Sequence, residues 1–191
     1  MSDQRRHRGP HPGDHERFAA ALLPTLQSAT ADLSWLFTHG FAAPSAIKLV
    51  GDRYSLDARQ RLAVARCACG DGQRLRRHEH EVSPAELAHQ ELWIDGYNII
   101  TSLEAALSGG VVLCARDGCY RDLASMHGSY RKVEETVPAI ELVGELISSW
   151  NVAACHWLFD QPVSNSGRLK TLIRELAEQR GWNWDIELSS T

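Results

Sequence analysis

Two rhythms of apolar residues divide the chain. Up to about residue 70 the spacing is helical. Phe18, Leu22, Leu26, Ala29, Leu33, Leu36 and Phe37 recur every three or four positions, which makes one face of a helix. Pro24 breaks or restarts that helix, so residues 16–38 hold one interrupted helix or two, with His39-Gly40 as the stop. A shorter helix opens at Pro44-Ser45 and carries Ile47, Leu49 and Val50. The next, over residues 56–68, takes Ser55 as its N-cap and Asp57 in its first turn, with Leu62, Val64 and Ala65 inward. Gly70-Asp71-Gly72 reads as a turn, and residues 73–90 as a polar stretch with a short helix after Ser83-Pro84.

From Leu92 the rhythm changes to strand then helix, repeated. Leu92–Ile94 is a short strand ending at Asp95, followed by a helix over Thr101–Leu107. Val111–Ala115 is a second strand, running into Arg116-Asp117-Gly118. A helix over Val137–Trp150, a strand over Val152–Phe159 ending at Asp160, a helix over Ser164–Arg180 stopped by Gly181, and a strand over Trp182–Leu188 complete the pattern. Such alternation predicts an α/β fold, a parallel sheet with flanking helices, preceded by a small all-helical region. The predicted division is a disordered leader over 1–15, a helical domain over 16–70, a connector over 71–90 and the α/β domain over 91–191.

Composition narrows the class. With 43% hydrophobic and 23% charged among 191 residues, the chain is of globular type and can bury a full core without disulfide or metal staples. No apolar run approaches the ~20 residues needed to span a bilayer, and the Arg-, His- and Pro-rich start carries no secretory signal. Five cysteines without a secreted spacing read as reduced thiols, which places the protein in the cytoplasm. The net charge of −4 conceals a basic first half and an acidic second half. That distribution suits phosphate contacts in one and metal ligands in the other.

The chemistry sits in the acids. Three predicted strands each run into an aspartate, and sites in open parallel sheets form at the carboxyl ends of the strands. Asp95, Asp117 and Asp160 are thus expected along one edge, with Asp122 shortly after and Glu104 on the following helix. Gathered carboxylates repel unless a cation neutralises them, and hard oxygen ligands suit Mg²⁺ or Mn²⁺. Each acid also has a structural explanation. Asp95-Gly96 and Asp117-Gly118 are turn pairs, Glu104 completes a capping box with Thr101, Asp122 suits the first turn of a helix, and Asp160 suits a loop cap.

The segment Ile94-Asp95-Gly96-Tyr97-Asn98 resembles the opening of the NYN branch of PIN-like nucleases. Together with Leu49–Tyr54, Arg121-Asp122 and Asp160–Gly167, it makes residues 16–188 resemble the family catalogued as domain of unknown function 434. The resemblance implies a PIN-like (Rossmannoid) fold and hydrolysis of phosphodiester bonds, in RNA rather than DNA, with Mg²⁺ or Mn²⁺. It makes Asp95 and Asp160 metal ligands, lets Asp117 and Asp122 compete for the middle position, and aligns Glu104 loosely with an early-helix acid. Asn98 would lie beside the metal. Ser164, Asn165 and Ser166 stand at a helix start, where they either seat a phosphate with Arg168 nearby or serve as a plain N-cap. Arg121, Tyr130, Arg131 and Lys132 either form an ordinary solvated surface or track a nucleic-acid backbone and stack a base. No membrane partner is implied, and a homodimer is left open.

Two further readings stand beside this one. The acids can serve a non-catalytic nucleic-acid-binding module, or the first half can be a helix-turn-helix regulator with Arg59, Gln60 and Arg61 at base edges. Cys67-x-Cys69 with His78-x-His80 invites a zinc site, although the spacing departs from common knuckles.

Overall fold

The computed structural model describes residues 7–124, 130–160 and 163–189. The chain forms two compact units whose boundary is not linear in sequence. One unit comprises Pro10–Glu81 with Gly110–Leu123, and the other comprises Met1–Gly9, Val82–Gly109 and Ala124–Thr191. The sequence reading, with its single α/β domain over 91–191, does not anticipate that residues 110–123 join the helical unit.

The first unit is helical with one hairpin. Helix α1 (Asp14–Arg17) and a 3₁₀ turn (Ala20–Leu22) lead into α2 (Leu23–Thr38), whose first turn contains Pro24, where the missing N–H costs nothing. Helices α3 (Ala43–Arg53), α4 (Ala58–Cys67) and α5 (Asp71–Glu79) follow. The apolar face of α2 buries Leu26, Ala29, Leu33 and Leu36 against Ala46, Val50 and Val64 of α3 and α4. The cap of α4 is Asp57, not Ser55. Asp57 accepts the Gln60 amide at 2.8 Å while Gln60 reaches back to the Asp57 N–H at 3.1 Å, and Ser55 takes the left-handed turn before it, with φ 51°. Gly70 is not a turn residue but the N-cap of α5, so helix replaces much of the expected connector.

Strands β2 (Val112–Cys114) and β3 (Tyr120–Asp122) form an antiparallel hairpin in this unit. The expected parallel strand over Val111–Ala115 is therefore a hairpin arm. Asp117-Gly118 closes the turn, with Gly118 at φ 80°, a conformation only glycine adopts without cost. A short apolar run cannot tell a buried parallel strand from a hairpin arm.

The second unit is α/β. Strands β1 (Glu91–Asp95), β4 (Ala154–Asp160) and β5 (Trp184–Ser189) lie in the order β1-β4-β5, all parallel. Helices α6 (Gly96–Leu107), α7 (Thr136–Ser149) and α8 (Ser166–Arg180) connect them. Both crossovers step the same way along the sheet, so right-handed connections place the helices on one face. That face holds the core, where Ile94, Trp157 and Ile186 share one register row and pack with Ile100, Ile140 and Ile173. Alternate positions put Trp93, Asp95, His156, Asp160, Asp185 and Glu187 on the other face, which is open or half-open throughout. Gly181 ends α8 in the left-handed conformation the sequence predicts. Among the described residues, no helix is long and apolar enough to cross a membrane.

Candidate functional site

The carboxyl ends of β1 and β4 carry the predicted pair. Asp95 lies opposite Leu158, so Asp160 stands two residues further along the neighbouring strand, on the same face, and both aspartates are exposed. Asp95 caps α6. One carboxylate oxygen accepts the Asn98 backbone N–H at 3.2 Å and the other accepts the Asn98 side-chain amide at 2.5 Å. Asn98 therefore fixes the rotamer of Asp95. Gly96 between them is demanded by packing, since a Cβ there would stand 2.2 Å from the Phe159 ring. Among the described residues the Asp160 carboxylate has no hydrogen-bond or ion-pair partner.

Tyr97 is the residue of this site that the motif alone leaves unassigned. Its ring packs edge-on against Phe159, and its hydroxyl is buried with no hydrogen-bond partner. Burial pushes the phenol above its usual range, and the negative charge of Asp160 adds to that, while the Ser166 side chain pulls it down. An unpartnered buried donor near the open Asp160 carboxylate suits a bound oxygen ligand. The donor set itself consists of hard oxygens and fits Mg²⁺ or Mn²⁺, ions often held by one or two carboxylates plus substrate phosphate.

The predicted phosphate seat lies at the start of α8. Asn165 is left-handed at φ 69°, gives no side-chain cap to the helix, and turns its amide to the Tyr130 carbonyl at 3.0 Å. The Ser164 carbonyl accepts the Tyr130 N–H at 3.1 Å, and Ser166 is buried at the first helical position. Arg168 is exposed, with no ion pair among the described residues. Tyr130 itself is 2% exposed, which removes it as a base-stacking ring, whereas Arg131 and Lys132 are exposed.

Three of the expected ligands are committed elsewhere. Glu104 is fully buried in α6, where Arg8, the Tyr130 hydroxyl at 2.5 Å and the Thr136 hydroxyl at 2.5 Å all donate to it. Burial raises its pKa, and the donors oppose that shift. It is neither an open metal ligand nor half of a capping box, because α6 starts five residues before Thr101, whose hydroxyl donates back to the Tyr97 carbonyl at 2.8 Å. The same contact shows that the expected leader is structured in part: Arg8 is tied to Glu104, and Asp14 is 3% exposed.

Asp117 sits in the hairpin turn of the helical unit. Arg121 donates to both its oxygens at 2.7 Å, Arg77 donates at 2.6 Å and the Cys119 N–H at 3.2 Å, leaving the side chain 1% exposed. Those donors, Arg121 foremost, hold its pKa down at about 2. Asp122 is also buried, with Arg66 at 3.9 Å. Neither belongs to the parallel sheet, so the sheet does not supply a middle ligand, and Arg121 is occupied rather than free for phosphate.

The helix-turn-helix residues are equally occupied. Arg59 pairs with Asp14 at 2.7 and 2.8 Å and donates to the Leu123 carbonyl, Arg61 binds Asp52 at 2.8 Å, and Gln60 completes its capping box. The Cys67, Cys69, His78 and His80 set does not converge either: Cys69 is buried, and His80 bonds the Arg76 carbonyl.

Among the described residues, the group of three or more potential ligands whose atoms lie within 4.8 Å of one another is His156, Asp185 and Glu187. No motif points to it. Its signal is one of period two: a histidine and two acids at alternate positions of two strands that pair only in the folded sheet.

Residues 25–80 match the family described as Protein of unknown function (DUF434), so that resemblance stands over the helical region and not over 16–188. The uncharacterized protein MJ0935 of Methanocaldococcus jannaschii is 29% identical over 151 residues, covering 79% of this chain and 72% of the relative. No solved structure matches the chain. Residues 84–191, which include the whole three-stranded sheet and more than half of the sequence, match the family described as Domain of unknown function (DUF5616), and the chain belongs to that family.

Proposed function

We propose that the protein is a divalent-metal-dependent nuclease of PIN-like type, hydrolysing phosphodiester bonds in RNA at the carboxyl ends of β1 and β4. The observation that carries this reading is the placing of Asp95 and Asp160, both exposed, on one face of adjacent parallel strands, with the unpartnered Tyr97 hydroxyl near Asp160. Asp95 and Asp160 would hold Mg²⁺ or Mn²⁺, with Asn98 setting the orientation of Asp95. When bound, such an ion supplies Lewis acidity toward a phosphoryl oxygen and makes water a stronger nucleophile near neutral pH. The start of α8 has no side-chain cap, and its helix dipole together with the exposed Arg168 supplies a positive field for a phosphate. Tyr97 adds a neutral donor, since a phenol is protonated at neutral pH and burial moves it further that way.

The test is cleavage of a labelled RNA panel, with DNA in parallel, in Mg²⁺, Mn²⁺ and EDTA. Cleavage that EDTA stops and Asp95→Asn abolishes supports the reading. Tight RNA binding without cleavage in either ion would put the non-catalytic binding module in its place.

A further inference from the structure

We propose that His156, Asp185 and Glu187 form a second, separate metal site, for a borderline divalent transition ion such as Zn²⁺ or Co²⁺, on the open face of the sheet. One ligand atom from each residue lies within 4.8 Å of the others. Ligands ~2 Å from a common ion stand up to ~4 Å apart, so a small rotation of the exposed Asp185 and Glu187 side chains closes the set.

The second observation is the state of the imidazole. Both ring nitrogens of His156 are buried, and neither has a hydrogen-bond partner. The nearest acids are Asp185, 3.9 Å from Nδ1, and Glu91, 3.6 Å from Nε2, both too far to be hydrogen-bonded. Two desolvated, unpaired nitrogens on one ring are costly, and buried polar groups ordinarily find a partner. An ion taken by Nδ1 together with Asp185 and Glu187 resolves this. The proton then resides on Nε2 and points at Glu91, the carboxylate behind a metal-bound histidine that fixes its tautomer. Trp93 stacks on the same ring at 4.2 Å and 17° and prevents it from turning away.

The chemistry of the set selects the ion. An imidazole suits Zn²⁺, Co²⁺, Ni²⁺ or Cu²⁺, whereas the all-oxygen Asp95 and Asp160 pair suits Mg²⁺ or Mn²⁺. Three protein ligands leave a coordination position open. This site rests on different residues from the proposed nuclease centre and stands or falls independently of it. Glu187 shares a register row with Asp95, with Leu158 between them, and His156 stands four residues before Asp160 on β4, so the two sites occupy neighbouring stretches of the same open face.

The experiment uses the full, untagged, metal-stripped chain, titrated with Zn²⁺ by calorimetry and with Co²⁺ by visible absorption. Nitrogen chemical shifts of the His156 ring are followed by NMR. The wild type is expected to bind, with a coordination shift at Nδ1 and a protonated Nε2. Asp185→Asn and Glu187→Gln, both exposed positions, should each weaken binding by ~10-fold or more, as should Glu91→Gln through the outer hydrogen bond. His156→Ala should abolish it. Asp95→Asn should leave the affinity unchanged. Failure of the wild type to bind Zn²⁺ would overturn the proposal. So would unchanged affinity in Asp185→Asn and Glu187→Gln, which would assign the ion to the cysteines or other histidines. Equal affinity for Mg²⁺ would overturn the class of ion.

Discussion

The Tyr130 hydroxyl donates to the fully buried Glu104 carboxylate at 2.5 Å, and both groups also meet the Thr136 hydroxyl. With Arg8 on the other oxygen, the carboxylate is enclosed by three donors from two other segments of the α/β unit. Removing a donor leaves buried charge uncompensated. Tyr130→Phe should therefore lower stability by about 1.5–3 kcal/mol, the range for a hydrogen bond to a charged group. Arg8→Ala, which breaks the ion pair, should cost about 3–5 kcal/mol. Urea denaturation of each variant checks this, and a loss under 0.5 kcal/mol for both would mean that the cage contributes nothing.

Asp117 supplies a pH dependence whose sign can be worked out. Its folded-state pKa is held at about 2, below the ordinary aspartate value of 3.8, by Arg121 and the other donors. A depressed acid contributes stability that is fully present above the unfolded value and is lost as pH falls through the folded one. The window is thus pH 4 to 2, and the shift corresponds to about 2 kcal/mol. In Asp117→Asn that portion of the acid destabilisation should vanish while other carboxylates continue to titrate. Stability measured across the window in both proteins decides it. Identical slopes would mean that the arginine pairing is not present in solution.

Asp95→Asn separates chemistry from folding. Asn is as good an N-cap as Asp, so α6 should keep its start and the apo melting temperature should hold within the effect of a few tenths of a kcal/mol. Cleavage should fall by orders of magnitude, and the Mg²⁺- or Mn²⁺-induced rise in melting temperature should shrink. A sharp drop in the apo melting temperature would instead make Asp95 a turn residue with a structural role only.

Arg59 should behave as a structural residue. Its guanidinium is bidentate to Asp14, whose side chain is 2% exposed, and it also donates to a main-chain carbonyl. Arg59→Ala should destabilise the helical unit by about 3 kcal/mol or more, because it strands a buried carboxylate. Thermal melts and salt-dependent RNA binding, measured together, test this. Full stability with a reduced salt slope would return Arg59 to nucleic-acid contact.

Local sequence patterns carried much of the architecture by themselves. The spacing of Leu26, Ala29, Leu33 and Leu36, the glycine at 181 and the alternation after Leu92 mark the helices and the three parallel strands. Helical and extended backbones impose periods of 3.6 and 2 on any chain that buries one face. The IDGYN segment likewise located Asp95 at a strand end and Asn98 beside it. What the pattern could not carry was partnership between distant residues. Val111–Ala115 is apolar whether it joins a parallel sheet or folds back through Asp117-Gly118, and only the tertiary pairing made it a hairpin of the helical unit. That choice withdrew Asp117 and Asp122 from the strand-end acids. Glu104, an acid one turn into a predicted helix, looks the same in sequence whether it faces solvent or Arg8, Tyr130 and Thr136, which come from segments up to 96 residues away. The grouping of His156 with Asp185 and Glu187 is of the same kind, since strands β4 and β5 meet in register only after α8 has crossed between them. Charge and periodicity are local properties of a chain, whereas burial and ligation depend on which other segments arrive, and the tertiary fold decides that.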